Sequence, residues 1–398
     1  MRTNLGELGI ALSASYTTET AAVVSGGRRA GVDYAHQVTL EADVDWGKLA
    51  GLTGFSTHGV LVNLAGNNAS PGLLGDRLLQ VQSIYGGGGD VLVRFVELFG
   101  QQKLWDGRVD VKAGRIAVAN DFAASPLYCQ FVGLSLCGRP RALSADSGFT
   151  AWPAATWGGR VRFLPTAQTY LQLGLYEANA RHGGRSGFNW STTGSTGVAV
   201  PVEAGYELRA GGLLGHYKVG GILDTSRYPD LYSDSSGQPF AATGAAPALR
   251  RGRGSAYVLV DQMVHRTGPG ATDGVFLLGA YIHSDHNTST FQELAVAGLL
   301  AFGVVPGRPK DVPGLLFAYA KVNGRTALTQ GIQAALGDPL ANGATGAQSH
   351  EIVLEANYGA HVAEGVTITP DLQYVIRPGA ARRYPDAVVL AVKTHVQF

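Results

Sequence analysis

Charged side chains recur at spacings of two and four residues, which places them on one face of an extended strand. Arg160 and Arg162 differ by two positions, and Glu203 and Glu207 differ by four. Because successive strand residues point to opposite faces, each pair shares a face. A row of such groups can hydrogen-bond a polar solute, and opposite charges facing each other across a lumen create a transverse field. The chemistry available is solute binding and electrostatic selection, without a catalytic nucleophile.

These charges are expected to face inward if the strands form a membrane barrel. Facing lipid, an Arg or Lys costs about 2–4 kcal/mol at the bilayer midplane. The residues assigned to an inward face on this rule are Lys112, Arg160, Arg162, Glu203, Glu207, Lys218, Asp261, Glu293, Glu355, Gln373, Arg377 and Lys393. A salt bridge that braces the wall is an equally good interpretation of each.

Four further charged residues are candidates for a constriction. Arg94 and Glu97 differ by three, so either a bulge lies between them or one of them sits near the rim. Arg115 and Asp121 lie where a strand gives way to residues 119–156, a loop expected to fold toward the lumen. The complete set of constriction candidates is Arg94, Glu97, Lys112, Arg115, Asp121, Arg160, Arg162, Glu203, Glu207, Gln373 and Arg377.

Period-two alternation recurs along the whole chain and predicts strands with one apolar and one polar face. In Thr169–Tyr176, Leu171, Leu173 and Leu175 share one face while Gln172 shares the other. Short turns such as Gly211-Gly212 alternate with long polar connections, two of which are expected at 18–34 and 226–253. An even number of strands with short turns on one rim and long loops on the other is the outer-membrane pattern.

The strand count predicted from these connections is about 16. It depends on residues 78–102, which we interpret as one long strand interrupted at Gly86–Gly89; two strands there would make the total odd. The fold class expected is a single all-β transmembrane barrel over residues 1–398. A β-sandwich or a propeller is the soluble alternative, but no 40–50-residue repeat is present.

Composition excludes several other classes. The 398 residues carry 31 Lys+Arg against 30 Asp+Glu, a net charge of +1, which argues against a dedicated nucleic-acid binder. A hydrophobic content of 45% argues against disorder. The sequence contains no stretch of about 18 uncharged apolar residues, so a membrane-spanning helix is not expected. No Walker loop or Gly-x-Ser-x-Gly motif is present, so neither an enzyme nor a cofactor or metal is expected.

Cys129 and Cys137 are eight positions apart in a stretch rich in Gly, Pro and Ser. Two thiols without Cys-x-x-Cys spacing make a poor zinc site. Two interpretations remain open, a local disulfide in an oxidising compartment and a pair of unpaired thiols. Met1 is followed by no apolar signal segment, so we expect it to be the start added to a mature sequence.

The chain resembles the carbohydrate-selective porins (the OprB family) over essentially its whole length, and the C-terminal third carries the closest match. The resemblance is carried by residues 368–379, which read Ile-Thr-Pro-Asp-Leu-Gln-Tyr-Val-Ile-Arg-Pro-Gly, by Asp386-Ala-Val-Val-Leu and by the terminal Phe398. Glu97-Leu-Phe-Gly-Gln-Gln and Gly215-His-Tyr-Lys-Val-Gly-Gly extend it along the chain. The resemblance implies a 16-stranded barrel in the outer membrane of a Gram-negative bacterium, with a narrowed, charged channel that passes small sugars by diffusion.

The resemblance also sets the expected partners and the alternatives. Sugars, outer-membrane lipid and lipopolysaccharide are the expected partners, with no nucleic acid, and the family suggests a monomer. Trp152, Trp157 and Trp190 lie in or beside long loops, where a ring could stack on a sugar or simply pack the loop. A porin for polyols or organic acids is the closest alternative, followed by an outer-membrane enzyme and a closed structural barrel.

Overall fold

The chain forms a closed barrel of sixteen antiparallel strands. A computed structural model describes residues 2–75, 78–84, 91–184 and 188–398. Each strand pairs with its sequence neighbours, and β1 pairs with β16 to close the sheet. The strands are β1 Ile10–Ser25, β2 Gly31–Asp45, β3 Phe55–Gly66, β4 Val91–Leu104, β5 Val109–Ile116, β6 Thr156–Phe163, β7 Thr169–Ala178, β8 Gly197–Ala210, β9 Leu213–Asp234, β10 Pro247–Arg266, β11 Gly274–Ser284, β12 Phe291–Ala301, β13 Val312–Val322, β14 His350–Ala363, β15 Val366–Ile376 and β16 Ala387–Gln397. The predicted fold class and strand number are confirmed.

Helices are short and lie in the connections and at the N-terminus. They are α1 Arg2–Glu7, α2 Trp46–Ala50, α3 Arg141–Asp146, α4 Phe240–Thr243 and α5 Gly324–Leu336. Among the residues that the structure describes, no helix is both long enough and apolar enough to cross a bilayer.

Strand alternation sorts the side chains as the sequence predicts. In β13, Leu315 and Phe317 are 57% and 41% exposed on the outside, whereas Leu316 and Ala318 are buried toward the interior. The outward apolar side chains form a lipid-facing coat, and the inward ones pack against segments that enter the barrel.

Turns on the short rim match the expected chemistry. Gly211 and Gly212 join β8 to β9 with φ of 58° and 78°, values that glycine adopts without strain. The expectation of long polar connections at 18–34 and 226–253 is wrong, because β1 and β2 meet across residues 26–30, and β9 and β10 extend to Asp234 and back to Pro247. Threonine, tyrosine and arginine in these stretches are compatible with strands that project beyond the apolar band.

The region before β4 also differs from expectation. Residues 78–84 belong to the loop between β3 and β4, and the predicted interruption at Gly86–Gly89 lies outside the described residues. Within β4, the register shifts so that Val60 pairs with Glu97 while Leu61 pairs with Phe95. This bulge lets Arg94 and Glu97 both be buried on the inside, which is one of the two expected alternatives.

Candidate solute path through the barrel

A long loop between β5 and β6 enters the barrel, and wall carboxylates hold it from its first residue. We call residues 117–155 the crossing loop. Glu97 Oε1 accepts a hydrogen bond from the Ala117 amide at 2.7 Å, and Glu97 Oε2 accepts one from Asn120 Nδ2 at 2.9 Å. Glu97 therefore fixes the start of the loop rather than standing free in the lumen.

Asp121 of the crossing loop is held between two wall cations. Lys112 Nζ lies 2.7 Å and Arg160 Nε 3.1 Å from Asp121 Oδ1, and Arg160 Nη1 lies 3.2 Å from Asp110 Oδ1. Lys112 and Arg160 are paired across β5 and β6, so they share a height on the wall. All four residues are at least nine-tenths buried. Three of these four were expected to line the path, and they instead form a buried ion network.

Glu203 of β8 receives the next part of the crossing loop. Its carboxylate accepts hydrogen bonds from the Ala123 amide at 2.8 Å, from Gln172 Nε2 at 2.8 Å and from the hydroxyls of Tyr170 and Tyr257 at 2.6 and 2.8 Å. Four donors satisfy a charge that is 5% exposed. Glu203 is thus a second anchor of the loop.

Lys218 and Asp261 continue this line of anchors along β9 and β10. The Lys218 ammonium donates to the Ala124 carbonyl, and Ser125 Oγ donates to Asp261 Oδ2 at 3.2 Å. Asp261 Oδ1 also lies 2.5 Å from His216 Nδ1. The segment 121–125 is therefore attached residue by residue to the inner wall.

The middle of the crossing loop reaches the opposite side of the barrel. Glu355 Oε1 on β14 accepts the amides of Val132 and Gly133 at 2.6 and 3.3 Å. Gln373, paired with Glu355 across β14 and β15, donates to the Val81 carbonyl at 2.9 Å in the loop between β3 and β4. Glu355 and Gln373 are inward-facing as expected, but both are buried beneath these two loops.

The end of the crossing loop is pinned at the long-loop side. Asp146, the last residue of α3, accepts the amides of Thr290 and Phe291 at 2.6 and 2.8 Å. Burial raises the pKa of Asp146, and these two amides favour its charged form. The loop thus crosses the interior from β5 to β14 and is fastened at β12 before it returns to β6.

A few charged groups remain accessible inside the barrel. Arg162 is half-buried, with its guanidinium 4.9 Å from the Tyr170 ring. Glu207 is 36% exposed at its side chain and pairs with Arg209 at 2.6 Å. Lys393 on β16 is 15% exposed at its side chain and lies 3.8 Å from Glu19 Oε1. Arg162 and Glu207, in contrast to Lys112 and Arg160, can meet a passing solute.

The two cysteines face each other on the crossing loop and are free thiols in this structure. The expected disulfide is therefore absent, and the second interpretation, unpaired thiols, describes the geometry. The hydrogen bond from the Cys129 thiol lowers the pKa of Cys137 to about 6, helped by the charges of Lys393 and Arg139. Cys129 is exposed, so the pair borders the lumen near Lys393.

Arg115, a constriction candidate, lies on the outer face of the wall. It is three positions from the inward-facing Lys112 on an unbroken register, and it pairs with Leu98 and Trp157, which face outward. Its guanidinium donates to the Asn189 carbonyl at 3.0 Å, in the loop between β7 and β8. That loop folds over the outside of the wall, which buries Arg115 away from lipid.

Two of the three candidate tryptophans lie in this same outer patch. The rings of Trp157 and Trp190 meet edge to face at 5.7 Å, and Trp190 stacks on Phe95 at 5.3 Å. For these two residues loop packing, the open alternative, describes the geometry. Trp152 differs because its Nε1 donates to Gln37 Oε1 on the inner face of β2 at 2.9 Å.

Trp152 borders a cavity of about 500 Å³ on the long-loop side of the crossing loop. Polar groups that converge on this cavity are Gln37, Ser83, Arg139, Arg141, Asn179 and Asp224. Arg94, at the edge of this region, donates to the Pro153 carbonyl at 3.2 Å. A cavity lined by the aromatic residues Phe149, Trp152 and Tyr228 and by several hydrogen-bonding groups suits a small polyhydroxylated solute.

Glu293 and Arg377 were expected to face inward, and both lie outside. Glu293 pairs in register with Lys321, on the face opposite the buried Leu294. Arg377 follows β15, has φ of 56°, and its Nη1 contacts the ring of His350 at 2.9 Å. A parity rule fails at strand ends, where the lipid-facing surface meets headgroups and charge is tolerated.

Several inward residues were missed by a rule built on charge alone. Gln172 bridges Arg162 and Glu203, with Arg162 Nε 2.8 Å from Gln172 Oε1. Gln172 shares a parity with the inward face of β7, which was visible in the alternation. Arg139 gave no such signal because it lies in a loop, and His216 gave none because the rule did not count histidine as charged. In the part of the chain that the structure describes, no three His, Cys, Asp or Glu side chains converge to hold a metal.

A sixteen-stranded closed barrel with an apolar exterior and a charged interior crossed by a long loop defines an outer-membrane porin. The solved structure titled "High pH structure of Pseudomonas putida OprB" superposes with a TM-score of 0.93 at 28% identity, covering 100% of this chain and 96% of that one. Porin B of Pseudomonas aeruginosa is 30% identical and "Putative porin QuiX" of Acinetobacter baylyi 26% identical, each over 100% of this chain and over 89% and 91% of the relative.

Residues 29–398 match the family of carbohydrate-selective porins, the OprB family. The chain belongs to this family. It is a channel of the Gram-negative outer membrane that passes carbohydrates, as the sequence resemblance implied.

Proposed function

We propose that this porin passes small sugars by passive diffusion, and that the crossing loop and the accessible charges beside it set the selectivity. The observation that carries the proposal is the division of the inner charges into two groups. The buried group, which holds the loop, consists of Lys112, Asp121, Arg160 and Glu203. The accessible group includes Arg162 and Glu207. The first group would set the width of the path, and the second would meet the solute.

The narrow part of the path is proposed to lie between the crossing loop and β16. Lys393 Nζ is 3.4 Å from the carbonyl oxygens of Cys129 and Phe131 and close to Glu19. The ammonium and the loop carbonyl groups at one level offer both donors and acceptors, while Glu19 is buried beneath them. A sugar that loses part of its hydration shell would replace it there.

The solute class is proposed to be neutral mono- and small saccharides. Arg162 and Glu207 are both accessible, so the lumen presents both signs of charge, which disfavours a strongly anion-selective channel. Polyols fit the same groups and are the second candidate. Organic acids fit less well, because lumenal Lys and Arg do not exceed Asp and Glu markedly. No catalytic step is proposed, since the relatives are described as porins.

The test is osmotic swelling of proteoliposomes that hold the purified porin. Hexoses, pentoses, polyols and organic acids are compared at equal osmolarity, with protein-free liposomes as the control. Faster swelling with neutral sugars than with organic acids of similar size supports the proposal. Equal rates for all solutes of one size would contradict charge-based selection, and no swelling with any solute would contradict diffusion altogether.

The surroundings proposed for the porin are outer-membrane lipid, lipopolysaccharide and no second copy of the chain. Exposed apolar side chains occur on strands around the wall, for example Leu12, Leu171, Leu277 and Leu372, so each side of the barrel is suited to lipid. Light scattering of the detergent-solubilised porin tests the monomer. A mass of three chains would contradict it.

A further inference from the structure

A row of polar side chains crosses the outside of the barrel at the end of the strands nearest the long loops. We call His283, Glu293, Lys321, His350 and Arg377 the outer row. The first four are directly opposite one another in register across β11, β12, β13 and β14. Arg377 extends the row, because its Nη1 lies 2.9 and 3.1 Å from the two ring nitrogens of His350.

The outer row faces away from the lumen. Its members alternate with Ile282, Leu294, Ala320 and Glu351, all of which are buried toward the interior. The side chains of Lys321 and Glu293 are 38% and 28% exposed. The row is therefore open to whatever surrounds the barrel.

The height of the row corresponds to the headgroup region of the outer leaflet. Two residues closer to the membrane centre, Tyr281 and Tyr319 face outward, and Tyr319 packs on His350 at 5.4 Å. Phe317 and Leu315 follow on the same face. Aromatic residues mark the membrane–water interface, and a charge just beyond them costs little, in contrast to one at the midplane.

Positive charge predominates in and beside the row. Glu293 pairs with Lys321 at 3.7 Å, which leaves Lys321 accessible. Within the described residues Arg377 is in no ion pair with a carboxylate, and its other side-chain partner is the Ser349 hydroxyl at 3.3 Å. Exposed Arg382 lies close enough for its charge to act on His350. Three cations thus face two carboxylates, Glu293 and Asp386, the second of which accepts the Arg377 amide at 2.9 Å.

We infer that the outer row binds a phosphate group of lipopolysaccharide. The phosphates of this saccharolipid lie at the outer-leaflet surface, at the height of Lys321 and Arg377. A guanidinium can bind two phosphate oxygens at once, and a nearby ammonium adds a point charge. This inference rests on the lipopolysaccharide surroundings proposed above and names the residues that would contact it.

Native mass spectrometry of the purified full-length porin with added bisphosphorylated lipid A tests the inference. The variant Lys321→Ala/Arg377→Ala should bind lipid A at least tenfold more weakly than the parent, and Lys321→Arg should retain binding. The matched control is Lys48→Ala/Arg108→Ala, which removes two exposed cations from short-rim turns. Equal affinity of the row variant and the parent would overturn the inference.

Two further measurements separate the possible causes. Dephosphorylated lipid A should bind the parent as weakly as bisphosphorylated lipid A binds the row variant; tight binding without phosphate would overturn phosphate recognition. Sugar swelling rates of the row variant should equal those of the parent, because the row faces away from the lumen. If the row variant lost swelling but kept its circular dichroism spectrum, the row would act on the channel, and its assignment to the outside would be overturned. If the parent itself failed to swell, that result would count against the proposed transport alone.

Discussion

Arg160 Nε on the barrel wall lies 3.1 Å from Asp121 Oδ1 on the crossing loop, and both side chains are nine-tenths buried or more. The contact joins the part of the molecule that spans the membrane to the part that narrows it. Lys112 completes the site from the neighbouring strand. Because two cations share one carboxylate, the position of the loop depends on Asp121 more than on either cation.

Asp121→Ala should therefore loosen the crossing loop. The substitution removes the carboxylate that compensates the buried positive charges of Lys112 and Arg160. Breaking such a buried ion pair lowers the free energy of unfolding by about 3–5 kcal/mol. We expect a lower midpoint in urea unfolding and a larger, noisier single-channel conductance. The control is Glu207→Ala, which removes a carboxylate that is 36% exposed and holds no part of the loop. Unchanged conductance noise in Asp121→Ala would show that the loop is held without this contact.

Arg162→Ala should change ion selection with little effect on folding. Arg162 is half-buried and reaches the lumen beside Tyr170. A unit charge acts on an ion 4–8 Å away with about 0.5–1 kcal/mol in water, which corresponds to about a two- to fivefold change in the permeability ratio. We expect the reversal potential in a salt gradient to shift toward cation preference.

Arg162→Lys is the matched variant for this experiment, since it keeps the charge. It should retain the reversal potential of the parent. The double variant Arg160→Ala/Arg162→Ala should add the instability of a lost loop anchor to the same change in selection. An identical reversal potential in all three variants would place Arg162 outside the conducting path.

The barrel was predictable from the sequence because alternation and turn spacing are local. The outward Leu171 and Leu173 and the inward Gln172 follow directly from a period of two. The role of Glu97 was not predictable, because its partner amide, at Ala117, comes from a loop whose path depends on the closed barrel. The same limit applies to Arg115, which is buried by a loop on the outer face.

Trp152→Ala should weaken sugar binding in the cavity above the crossing loop. An aromatic contact contributes about 0.5–1.5 kcal/mol beyond area burial, so we expect a two- to tenfold higher sugar concentration for half-maximal block of the ion current. Trp157→Ala is the control, because Trp157 packs outside the wall against Trp190. Equal block in the parent and in Trp152→Ala would exclude this ring from the sugar path.

Cys137 should react as a thiolate at neutral pH. The Cys129 hydrogen bond lowers the pKa of Cys137 to about 6, whereas the pKa of Cys129 is raised well above 9.0. A thiol is a thiolate above its pKa, so its reaction with a methanethiosulfonate reagent should become faster through pH 6 and level off by about pH 7. The thiolate attacks the reagent to form a mixed disulfide, and methanesulfinate leaves. Labelling should also reduce the conductance, because the thiols border the lumen.

Two variants test the cause of this reactivity. Cys129→Ser keeps a donor beside Cys137 and should preserve the midpoint near pH 6. Cys129→Ala removes the donor, so the thiolate loses its hydrogen bond and the midpoint should move up toward the ordinary value of 9.0. A midpoint near 9 in the parent would contradict the hydrogen-bonded geometry, and a disulfide between the two residues would appear as an absence of labelling that a reductant reverses.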